Sequence, residues 1–200
     1  MLLLISNAYN IYWLGRYLTR INFLCQYLPL QDDEHAKQLI GALYLPAYDA
    51  ASLTELLLDP EQVYSFSQQF NVAYDNVQAL RGVLSRQSYA ELNAMFKYAK
   101  DNAGSICQTI SDIEAVLESE SQNIFLYFSL GKYIEKLDQE LRMQQESRDT
   151  MEKLDILANA LSEFDWHEYV HAWHDFKLQP DLGTYHALNT RLQEMFGVVT

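Results

Sequence analysis

His167-Glu168-Tyr169-Val170-His171 places two imidazoles four residues apart, with a glutamate directly after the first. On a helix that spacing puts His167 and His171 on one face, where they can hold a zinc ion. Glu168 would then act as general base toward zinc-bound water. His174 is the nearest third ligand, with His186 and Glu194 further along. The same segment also reads as a plain amphipathic helix. Trp166, Val170 and Trp173 would pack inward and leave the histidines on its flank. Three ligands on one short helix surround a metal poorly, and no separate segment carries a recognisable third-ligand motif. Zinc is therefore the one cofactor the chain suggests, and only for a hydrolase.

A second set of charges is repeated. Trp13-Leu14-Gly15-Arg16-Tyr17-Leu18-Thr19-Arg20-Ile21 lines up with Ser129-Leu130-Gly131-Lys132-Tyr133-Ile134-Glu135-Lys136-Leu137. A glycine inside a helix costs up to ~1 kcal/mol relative to alanine, so it marks a place where another backbone comes close. The spacing predicts two helices, one from each copy, crossing at Gly15 and Gly131 about a pseudo-twofold axis. Arg16 with Arg20, and Lys132 with Lys136, are four apart and share a helix face. Like charges at that spacing need something anionic opposite. Internal Asp and Glu side chains are the commoner answer; a bound phosphate, a carboxylate or an acidic partner is the functional one.

The elements that must position these residues are helical. With 7 Gly and 4 Pro in 200 residues, breakers are sparse, which favours long regular segments. No stretch alternates apolar and polar residues, so no sheet is expected. We read helices over about residues 4–28, 33–44 and 52–58. A long helix should follow from the Asp59-Pro60 cap to about Leu84. Ser88 and Glu91 form a capping-box pattern opening a helix from about Tyr89 to Leu117, with Gly104 a point where it can bend. Ser121 opens another, ending before Asp149. Further helices run over 150–161, from an Asp165 cap to Phe176, and over 184–196. The expectation is an all-α, single-domain bundle spanning residues 1–200.

Composition narrows the classes of function. The net charge is −13, a field that repels phosphate backbones and anionic membranes and suits a basic partner. We therefore expect neither nucleic-acid nor membrane binding. The apolar start Met1 to Ile5 is too short for a span or signal peptide, which makes the cytoplasm the default location. Cys25 and Cys107 form no CxxC and read as buried free thiols suited to a reducing compartment. A homodimer is compatible with the many aromatics, although no long heptad seam argues for one. There is no P-loop, dinucleotide fingerprint or nucleophile elbow. Only Glu168 has a histidine three residues later, which is too little for a dimetal carboxylate centre. These residues alone do not identify a reaction.

Three ordered blocks resemble the alpha-E family, bacterial helical domains of unassigned activity. They are Asn10-Ile11-Tyr12-Trp13-Leu14-Gly15-Arg16-Tyr17 with Arg20, then Asp75 to Ser85 followed by Tyr89-Ala90-Glu91-Leu92-Asn93, and Leu130 to Lys136. Together they cover much of residues 5–143, with residues 150–196 divergent. Acidic residues of the family's first block are Thr19 and Asn22 here. In the central block an arginine is replaced by Gln78 and an acid by Gly82, while Arg81 is kept. The resemblance implies an accessory or interaction protein working with an ATP-grasp-type ligase that forms peptide or amide bonds. Its repeat-motif face would be Arg16, Arg20, Arg81, Lys132, Glu135 and Lys136.

Overall fold

The computed structural model describes residues 3–100 and 102–197. Among these, ten helices and no strand occur: α1 Ile5–Cys25, α2 Asp33–Leu43, α3 Ala50–Leu58, α4 Phe66–Ala79, α5 Arg86–Ala99, α6 Ala103–Glu118, α7 Gln122–Arg142, α8 Arg148–Ser162, α9 His167–Leu178 and α10 Leu182–Met195. The two longest, α1 and α7, are the central pair. Helices α4 and α6 flank α1, α8 lies against α7, and α9 joins α8 to α10.

The glycines explain the central pair. A Cβ built on Gly131 would collide with the carbonyl oxygen of Tyr12 and lie 2.8 Å from its carbonyl carbon. A Cβ on Gly15 would collide with the carbonyl oxygen of Phe128 and lie 2.9 Å from the Lys132 nitrogen. The contact is reciprocal, since each glycine meets the carbonyl three residues before the other. Leu14, Leu18 and Ile21 of α1 and Phe128, Leu130, Ile134 and Leu137 of α7 are buried around this crossing.

Local capping sets most of the other boundaries, and here several expectations are corrected. The long helix from Asp59 does not form. Asp59 instead accepts from the Glu61 nitrogen in a turn, and α4 opens at Phe66, with Ser65 accepting from the Gln68 nitrogen. The helix expected over 89–117 is two helices. Ser85, not Ser88, caps α5, and Ser88 is the residue whose nitrogen donates to it. Asn102 then caps α6 through the Ser105 nitrogen. Asp165 has φ 62 and caps nothing; Trp166 precedes α9.

The cysteines are also corrected. Cys25 and Cys107 are not free thiols but a disulfide, tying the end of α1 to α6 with Cα atoms 5.7 Å apart. The packing of α1 on α6 brings together residues 82 positions apart, a pairing that spacing alone does not disclose. Neither cysteine is the free thiol that would favour a reducing compartment. No helix of the described residues is long and apolar enough to cross a membrane.

Candidate functional site

The repeated bases lie along the α1–α7 crossing, and most are matched by carboxylates. Glu135 of α7 is the centre. The Arg16 Nε donates to its Oε2 at 2.8 Å; the Arg20 Nε donates to Oε1 at 2.7 Å and the Arg20 Nη2 to Oε2 at 2.9 Å. Arg16 also donates from Nη1 to the Tyr12 hydroxyl at 3.2 Å and to the Asn189 Oδ1 at 3.1 Å, which brings α10 into the network. Its guanidinium lies 5.1 Å from the Trp13 ring centre.

Burial by itself would raise the Glu135 carboxyl, but the Arg16 and Arg20 guanidiniums outweigh it and hold the group down to about 2. Burial likewise opposes the charge on Arg16, yet the Tyr12 hydroxyl and the Glu135 carboxylate keep it protonated well above its ordinary value. Only 3% of the Glu135 side chain is exposed, against 36% for Arg20. The pair is a charged pin through the crossing, open to solvent on the Arg20 side.

The other repeat copy is less enclosed. Lys132 donates to the Glu114 Oε2 at 3.0 Å and the Glu118 Oε1 at 2.7 Å. Lys136 is half exposed, 3.7 Å from the Glu140 Oε1. Arg81 stands apart from the crossing, exposed, with its guanidinium 5.9 Å from the Tyr89 ring centre. The structure thus brings Arg16, Arg20 and Glu135 together, places Lys132 and Lys136 along the same helix, and leaves Arg81 on the surface.

On the open side of Arg20 lies a cleft of about 700 Å³, a size that suits a ligand or a peptide segment. Its floor holds Arg20, Glu135, Asp138 and Arg142. Arg142 donates from Nε to the Asp138 Oδ1 at 2.8 Å and lies 5.3 Å from the Tyr44 ring centre. Its rim is apolar and uncovered: Tyr44 is 77% exposed and Val63 80%, with Tyr64 and Val72 beside them. The Gln69 Oε1, in the same wall, is buried without a hydrogen-bond partner. None of Tyr44, Val63, Tyr64 and Arg142 was picked out from the sequence. They come from three separate segments, and Val63 and Tyr64 lie in a turn where a continuous helix was expected.

His167, His171 and His174 lie on the exposed flank of α9, while Trp166, Tyr169, Trp173 and Phe176 are buried. Among the described residues no group of three or more His, Cys, Asp or Glu side chains is arranged to hold a metal. His167 approaches only the exposed Asp165, at 3.7 Å. Replacing His167 and His171 together by alanine is expected to change stability by no more than about 0.5 kcal/mol, as for surface positions generally. Thermal unfolding of the double variant checks this.

The fold and this crossing define an all-helical domain whose two central helices are pinned by arginine–glutamate pairs. The chain belongs to the Alpha-E family, described as a predicted alpha-helical domain with a conserved ER motif, whose model matches residues 3–170. No curated protein and no solved structure matches the chain. No Glu-Arg dipeptide occurs in it; the two repeat copies read Thr19-Arg20 and Glu135-Lys136. The arginine of one and the glutamate of the other meet across the crossing.

Proposed function

We propose that this chain is an accessory binding protein for an ATP-grasp-type peptide or amide ligase, and that it receives a segment of that ligase in the cleft beside Arg20 and Arg142. The ligase connection rests on what alpha-E resemblance implies. The observation that carries the binding role is the cleft itself, with a floor of paired charges under a rim of exposed Tyr44, Val63, Tyr64 and Val72. Apolar surface rimming a concave site is what partner recognition uses. The acidic charge of the whole chain favours a partner with a basic face.

The test is to tag the chain at its C-terminus in its native host and compare what co-purifies with wild type and with Val63→Glu. Val63 is exposed, so the variant folds normally, but it sets a charge on the apolar rim. A ligase of the ATP-grasp type is expected with wild type and depleted about tenfold with the variant, as for loss of one anchoring contact. A ligase recovered equally with both, or turnover of a peptide or amide substrate by the purified chain alone, would overturn the proposal.

A further inference from the structure

The pairing on the floor of the Arg20 cleft leaves one positive charge over. Glu135 is shared by two arginines, Arg20 on the cleft side and Arg16, which does not line the cleft. Asp138, three residues further along α7, holds Arg142. Three guanidiniums therefore meet two carboxylates. Among the described residues lining the cleft, the one further carboxylate is Glu61. It stands exposed on the rim, where water and salt screen it. A local positive excess inside a chain of net charge −13 marks a place for an anion.

Donors are left over as well. Arg20 binds Glu135 through Nε and Nη2. Arg142 binds Asp138 through Nε, and its Nη1 reaches the Ala42 carbonyl at 3.4 Å. Among the described residues nothing accepts from the Arg20 Nη1 or the Arg142 Nη2, and neither atom is shut off from solvent. Glu135 and Asp138 share one face of α7, so the arginines they hold sit side by side along the floor. A planar guanidinium held on one edge by a carboxylate presents its other edge in a set direction, which suits a second carboxylate. An excess of one charge matches a carboxylate better than a phosphate monoester, which carries nearly two.

The rim decides what carries the carboxylate. Tyr44, Val63, Tyr64 and Val72 offer exposed apolar surface around those charges. An internal Asp or Glu would bring a continuing chain across the floor, with backbone N–H and C=O groups to satisfy on both sides of it. A chain end brings its carboxylate and nothing beyond. We infer that the cleft recognises the free C-terminal carboxylate of a peptide whose last residues are apolar. The carboxylate lies on the open edges of Arg20 and Arg142, and the side chains before it lie against Tyr44 and the Val63–Tyr64 wall. The inference rests on the binding role proposed above and names the part of the partner that enters, its C-terminus.

The experiment is a titration of the purified full chain, followed by backbone amide NMR shifts. The probes are N-acetyl-Ala-Leu-Phe and N-acetyl-Ala-Phe-Leu as free acids, and the same peptides as C-terminal amides. N-acetyl-Asp-Leu-Phe amide carries its carboxylate on a side chain instead. At least one free acid should give saturable shifts around Tyr44, Val63 and Arg142, with affinity about tenfold above that of its amide, as for one charge-assisted contact. The Asp peptide should bind no better than the amides. Arg142→Gln should bring the acid down to the affinity of the amide while the amide binds as before, a loss of discrimination that mere loosening of the fold would not produce. Equal binding of acid and amide by the wild-type chain would overturn the inference, whatever the variant does. So would preference for the Asp peptide, displacement of the acid by inorganic phosphate but not by acetate, or no saturable shift at millimolar peptide. Recovery of the ligase with wild type and its depletion with Val63→Glu would stand in each of those cases, so the two proposals fail separately.

Discussion

Glu135→Leu is expected to cost the folded chain roughly 3–5 kcal/mol, the usual penalty for removing one partner of a buried ion pair. For a chain of this size, 1 kcal/mol corresponds to about 2–4 °C in melting temperature, so a drop on the order of 10 °C should be seen by circular dichroism. The cause is the charge left behind. Arg16 is 95% buried, and without Glu135 its guanidinium keeps only the neutral Tyr12 hydroxyl and the Asn189 amide oxygen. The same carboxylate gives a pH signature. Its folded value is about 2, below the ordinary 4.5. A depressed carboxylate stabilises the fold fully above the unfolded value and loses that contribution as pH falls toward the folded one. Wild type should therefore lose roughly 3 kcal/mol between about pH 5 and pH 2 from this group alone, and Glu135→Leu should show a flatter acid limb. Adding Arg16→Met and Arg20→Met to Glu135→Leu should recover most of the loss, because an apolar replacement of a whole buried network is often neutral. A single variant as stable as wild type would show that the pin does not hold the crossing.

Gly131→Ala is expected to destabilise by about 3 kcal/mol, at the upper end of overpacking costs. Alanine is the better helix residue, by up to ~1 kcal/mol, and on a free helix face the change would stabilise. Here the added methyl meets the backbone carbonyl of Tyr12, which cannot swing aside as a long side chain would. The helices must separate, and the Glu135 contacts four residues along would lengthen with them. Gly41→Ala is the internal control: nothing lies within 4 Å of its Cβ position, and it should be neutral or slightly stabilising. Melting temperatures of the two variants should move in opposite directions or differ by several degrees; equal melting temperatures would mean that the close approach is not where the crossing is set.

These two positions also show what could be read before the fold was known. Gly15 and Gly131, each followed by a base and then a tyrosine, disclosed the crossing because a buried helical glycine has few other uses. That internal carboxylates would answer the bases was also legible in outline. Which carboxylate answers which base was not, since Glu135 sits 119 residues from Arg16 and belongs to the second repeat copy itself. The helix expected from Asp59 failed because Asp59-Pro60 is as good a turn signal as a helix start, and Ser65 offered a better cap just before the apolar residues Phe66 and Phe70. The break after Ala99 was read only as a bend near Gly104, for a related reason. Asn102 can cap a new helix as readily as sit in a continuing one, and only packing of α5 on α6 decides. The histidine motif had the right spacing but the wrong surroundings: Tyr169, Trp173 and Phe176 on the opposite side of α9 claim the interior, which turns the imidazoles outward. The cleft was least legible, because Leu43 to Leu45, Glu61 to Tyr64 and Arg142 converge only through tertiary packing.

Hydrogen–deuterium exchange of the chain, alone and mixed with the ATP-grasp-type ligase proposed as its partner, tests the binding role most directly. The account predicts slowed exchange in residues 43–45 and 61–72 and in the last two turns of α7, with α9 and α10 unchanged. Protection confined to α8, α9 and α10, with the cleft exchanging as in the free chain, would contradict it.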